Sequence, residues 1–119
     1  MARILLAEDD DSLRNFLCKA LKRAGHDVVD CPDGDSAIEA LEDGTYDLLL
    51  TDIVMPGADG IELARKAADR DGDMKIMFIT GFAAVALNPS SQAPTQAKVL
   101  SKPFHLRELV TEVERMIAA

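Results

Sequence analysis

At 119 residues the chain has room for one hydrophobic core but not two, so a single domain spanning residues 1–119 is expected. Its 13 basic and 21 acidic residues leave a net charge of −8, which argues against binding nucleic acid or an anionic membrane leaflet through its own surface. No apolar stretch nears the ~20 residues of a membrane helix, and no basic-then-apolar leader opens the chain. A cytoplasmic protein with two reduced, structural thiols at Cys18 and Cys31 is therefore expected.

Short apolar runs alternate with amphipathic segments, the pattern of a parallel sheet covered by helices on both faces. Ile4-Leu5-Leu6-Ala7 reads as the first strand and runs into Glu8-Asp9. Asp10 or Asp11 then caps a helix whose stripe is Leu13, Phe16, Leu17, Ala20 and Leu21, and Gly25 ends it, since a helix C-terminal cap often needs positive φ. Val28-Val29 marks a second strand, and Gly34 to Glu42 a short helix through Ala37, Ile38 and Leu41. Leu48-Leu49-Leu50 is apolar at consecutive positions, as a central strand buried on both faces should be, and leads through Thr51 to Asp52. Met55-Pro56-Gly57 breaks the chain before a helix from about Gly60 to Arg70. Ile76 to Ile79 is the fourth strand, ending at Thr80, and Lys98-Val99-Leu100-Ser101 the fifth, ending at Lys102. A last helix runs from about Leu106 to Ile117, with Leu109, Val110, Val113, Met116 and Ile117 inward. Between the last two strands, Pro89 and Pro94 oppose a regular helix, so a short or irregular one is expected over residues 82–97.

If the runs are parallel strands in the doubly wound order 2-1-3-4-5, their carboxyl ends share one edge, where open α/β sheets bind ligands. Glu8, Asp9 and Asp52 would then repel one another unless a cation neutralised them. Magnesium suits such all-oxygen ligands. Asp9 and Asp52 would be direct ligands, with the backbone carbonyl of Val54 as a third oxygen and Glu8 acting through water. Asp52 is the candidate nucleophile, because a carboxylate can attack phosphorus to form an acyl phosphate. Lys102 and the Thr80 hydroxyl would stabilise the phosphoryl oxygens. Taken singly these residues read as an acidic helix cap, a turn aspartate, a capping hydroxyl and an exposed lysine. Their joint occurrence at four strand ends favours a phosphate site.

Ile4-Leu5-Leu6-Ala7-Glu8-Asp9-Asp10, Leu50-Thr51-Asp52-Ile53-Val54-Met55-Pro56, Phe78-Ile79-Thr80-Gly81 and Ser101-Lys102-Pro103-Phe104 together resemble the signatures of the two-component response-regulator receiver domain. The resemblance covers essentially the whole chain. It implies a flavodoxin-like, CheY-like (βα)₅ fold, with Asp52 as phosphoacceptor, Glu8 and Asp9 as the acidic metal pocket, Thr80 as switch hydroxyl and Lys102 on the phosphoryl group. It also implies a cis bond before Pro103, and a histidine kinase or histidine phosphotransfer protein as phosphoryl donor. Receivers usually carry Tyr or Phe three residues before the lysine; Val99 stands there and has no ring to rotate. Val54 and Phe82 flank the expected path of the hydrolytic water, and neither can orient it, so a moderately long-lived phosphoaspartate is expected.

No effector segment follows the last helix, so a stand-alone receiver working through protein binding is expected. The stretch Phe78 to Asn88 with Ser101 to Leu106 is similar to CpdR-type single-domain regulators. That likeness implies a phosphorylation-controlled adaptor of the ClpXP protease in bacterial cell-cycle control, active when unphosphorylated, with ClpX as partner and Phe82, Val85 and Leu87 as candidate contacts. A phosphate shuttle or sink, or a receiver acting on another target, is the alternative. A magnesium-dependent phosphohydrolase of the haloacid dehalogenase type fits less well, because it needs a second Asp where Val54 stands.

Overall fold

Five parallel strands form one sheet in the order β2-β1-β3-β4-β5, where β1 is Arg3–Ala7, β2 Asp27–Cys31, β3 Leu48–Thr51, β4 Lys75–Thr80 and β5 Lys98–Ser101. The structure, a computed structural model, describes residues 2–81, 93, 94 and 96–119. Four helices are described: α1 Asp11–Arg23, α2 Gly34–Asp43, α3 Gly60–Arg70 and α4 Leu106–Ala118. The irregular helix expected over residues 82–97 falls largely outside the described residues, as do Phe82, Val85 and Leu87.

Alternation along the strands divides the core into two layers, because successive side chains point to opposite faces. Leu5, Leu49, Ile76 and Phe78 pack with Ala37 and Leu41 of α2 and Leu63 and Ala67 of α3. Ile4, Leu6, Leu48, Leu50, Met77 and Ile79 pack with Leu17 and Leu21 of α1 and Leu109 and Val113 of α4. Every residue of β3 is buried, which is why its apolar positions are consecutive rather than alternating. Cys31 lies in the first layer and Cys18 in the second, and both are free thiols. No described helix is long and apolar enough to cross a membrane.

Asp10, Asp33 and Asp59 cap α1, α2 and α3, each accepting a hydrogen bond from the amide three residues on. Gly25 follows α1 at φ 101°, as its place after the helix requires. One sequence expectation is corrected: Phe16, assigned to the inward stripe of α1, is 56% exposed. The face that packs on the sheet is centred on Leu17, Cys18 and Leu21, and at about 100° per residue Phe16 lies on the opposite side.

Candidate functional site

Strand register places the acids side by side. Ala7 pairs with Thr51, so the residues that leave the two strands, Glu8 and Asp52, are neighbours at the carboxyl edge. The Asp52 amide donates to the Ala7 carbonyl (3.0 Å) and the Glu8 amide to the Cys31 carbonyl (3.1 Å), which extends the ladder to the acids themselves. Thr80 pairs with Ser101, and its carbonyl accepts the Lys102 amide at 2.8 Å. The peptide bond from Lys102 to Pro103 is cis, as the family resemblance implied.

The Lys102 ammonium lies 2.8 Å from Asp52 Oδ2 and 3.1 Å from Glu8 Oε1, joining residues 50 and 94 positions apart. Asp52 Oδ1 accepts the Ile53 amide at 2.7 Å, and Glu8 Oε2 accepts the Asp10 amide at 3.1 Å. Glu8 and Asp52 are buried, whereas Asp9 is exposed. Burial pushes the Glu8 carboxyl above its ordinary range, against the lowering pull of the Asp10 amide and of Lys102. Lys102 is itself partly desolvated, but its bonds to Asp52 and Glu8 outweigh that and hold its ammonium above the ordinary lysine value.

Ligand atoms of Glu8, Asp9 and Asp52 all lie within 4.8 Å of one another. Three carboxylates against one ammonium leave two negative charges in excess, and every donor is an oxygen. A hard divalent cation fits that set in charge and chemistry. Of the residues singled out in the sequence, Glu8, Asp9, Asp52 and Lys102 come together directly. Thr80 is buried at the neighbouring strand end and joins the group through the Lys102 backbone. Val54 follows Asp52 by two residues and is 56% exposed. Val99 is partly buried against the α2–α3 layer.

Several contributors were not singled out in the sequence. A Cβ on Gly60 would come within 1.9 Å of the Asp52 carbonyl oxygen, and the Gly60 amide donates to the Ile53 carbonyl at 2.7 Å, so α3 begins pressed against the backbone of Asp52. A Cβ on Gly34 would likewise meet the Ala58 carbonyl oxygen at 1.7 Å. Asp35 accepts the Ala58 amide at 3.2 Å, tying the loop after Asp52 to α2. Arg14 donates to the Glu8 carbonyl at 2.9 Å. Its i,i+3 spacing from Asp11 is visible in the sequence, but the carbonyl it reaches is not.

Residues 4–114 match the response regulator receiver domain, and the chain belongs to that family. Among its relatives is the response regulator receiver protein CpdR of Brucella abortus (strain 2308), 65% identical over 119 residues, a match covering 100% of this chain and 99% of CpdR. Sensor kinase CckA of the same strain is 35% identical over 118 residues; the match covers 98% of this chain and 12% of the kinase. Among solved structures, a response regulator receiver protein from Sinorhizobium medicae WSM419 is similar at a TM-score of 0.89 and 35% identity, covering 98% of this chain and 94% of that one. The receiver domain of hybrid histidine kinase CckA follows at a TM-score of 0.82 and 33% identity, covering 97% and 98% respectively. The doubly wound order expected from the sequence and the likeness to CpdR are both borne out.

Proposed function

We propose that the protein is a single-domain response regulator, phosphorylated on Asp52 with magnesium and working through phosphorylation-dependent protein binding. The observation that carries this reading is the Lys102 ammonium held between Asp52 and Glu8 beside the exposed Asp9. Glu8, Asp9, Asp52 and the backbone carbonyl of Val54 would hold the ion. When bound, magnesium supplies positive charge against a phosphoryl oxygen. Asp52 attacks the phosphorus of a phosphohistidine on a histidine kinase or phosphotransfer protein. An O–P bond forms as the N–P bond breaks, and the released imidazole takes a proton from water. Lys102 passes from the Asp52 carboxylate to a phosphoryl oxygen, and the Thr80 hydroxyl donates to another. The chain takes part in its own modification and is not an enzyme acting on a separate substrate.

The 65% identity to CpdR, over nearly all of both chains, supports a CpdR-like adaptor role in cell-cycle control, with ClpX of the ClpXP protease as the target and the cytoplasm as the compartment. Incubation with magnesium and acetyl phosphate should raise the intact mass by one phosphoryl group, and Asp52→Ala should stay unmodified. A wild-type protein that takes up no phosphoryl group would end the reading. Purified ClpX should be retained by the unphosphorylated form and less by the phosphorylated one. Retention of neither would remove the adaptor role and leave a phosphate shuttle or another target.

A further inference from the structure

The guanidinium of Arg14 joins three segments that meet beneath the acids. Nη1 donates to the Glu8 carbonyl (2.9 Å), Nη2 to Asp11 Oδ1 (2.7 Å) and Nε to Asp30 Oδ2 (3.3 Å). These partners lie after β1, in the first turn of α1 and near the end of β2. The Arg14 side chain is only 13% exposed, and the neighbouring Asp11 carboxylate, reinforced by Asp30, raises its pKa and keeps it charged. The Glu8 carbonyl belongs to the peptide unit that leads into Asp9. Holding it fixes the direction in which the chain enters the exposed Asp9, whose carboxylate completes the cluster.

We infer that Arg14 is a positioning residue for the divalent-ion site: it clamps the peptide between Glu8 and Asp9 so that Asp9 faces Asp52 before an ion arrives. The inference rests on the ion-binding reading above. Charge alone predicts the reverse effect, since a cation this close to the acids repels a metal ion. Removing Arg14 would then tighten binding, whereas loss of positioning weakens it.

The sign of the change therefore decides. Arg14→Met removes the cation and the fork of donors, while Arg14→Lys keeps the cation and loses the fork. Both residues are good helix formers, so α1 should persist. Magnesium affinity, read by calorimetry on the full chain, should fall about tenfold in both, as outer-shell partners of metal ligands typically do. Unchanged affinity in Arg14→Lys, or tighter binding in Arg14→Met, would overturn the inference; if the Met variant does not fold, the Lys variant alone decides. Amide exchange without metal gives a second readout. Asp10 should exchange faster in Arg14→Lys while α4 is unchanged, and identical Asp10 protection would count against the clamp. A wild-type protein indifferent to magnesium would fell the ion reading itself, and is distinguishable because the failure appears before any substitution.

Discussion

Lys102 sets the electrostatics of the site at the scale of single residues. Both acids it contacts, Glu8 and Asp52, are buried, and among the described residues Lys102 is the cation paired with them. Lys102→Met should lower stability at neutral pH by about 2 kcal/mol, below the range for a fully buried pair because the lysine side chain is 28% exposed. The pH dependence follows from Glu8. Its folded-state value already lies above the ordinary 4.5, so ionising it disfavours the fold as pH rises from 4.5 through that value. Removing the ammonium lifts the folded value further. The deficit of Lys102→Met should therefore shrink as the pH is lowered, which urea titrations at two pH values would show. Val54 bears on lifetime instead. Its exposed aliphatic side chain has nothing with which to orient water, so Val54→Gln should shorten the phosphoaspartate lifetime by roughly tenfold. Phosphate release after removal of the donor measures it, and an unchanged lifetime would discard the argument.

At the scale of elements, the site depends on how closely helices approach strand ends. Gly60 opens α3 where its neighbour is the Asp52 backbone, an atom that cannot swing aside as a side chain would. Gly60→Ala should destabilise the fold by about 3 kcal/mol. Gly72 has nothing within 4 Å of an added Cβ, so Gly72→Ala should be nearly neutral, and thermal unfolding of the two variants side by side measures the contrast. This contrast also marks what a reader of the sequence can and cannot see. The apolar runs, their polar ends and the first helix cap follow from local chemistry, and Glu8, Asp9, Asp52, Thr80 and Lys102 are legible because each closes a strand or follows one within two residues. Gly34, Gly60 and the reach of Arg14 to the Glu8 carbonyl are not legible, because each meets a backbone carbonyl that only the folded chain puts in place. Phe16 misleads for a related reason. An apolar residue at helical spacing from other apolar residues is assigned inward, but only the packed sheet defines which face is inward.

At the scale of the molecule, the sheet partitions the interior. Ile76 and Ile79 lie on one strand, three residues apart, yet their side chains enter separate layers. Ile76→Val and Ile79→Val should each lose about 1 kcal/mol, and the double variant should lose their sum within about 0.5 kcal/mol. A larger departure would mean that the layers communicate through the strand.

The shared ammonium has a consequence for how the protein rests between signals. A cluster of like charges that relied wholly on a borrowed metal would fly apart whenever cellular magnesium ran low. Here a permanent tenant, tethered by the chain itself, keeps the acids quiet in the ion's absence. Under the ion-binding reading proposed above, a metal would then be free to come and go while the scaffold stays standing.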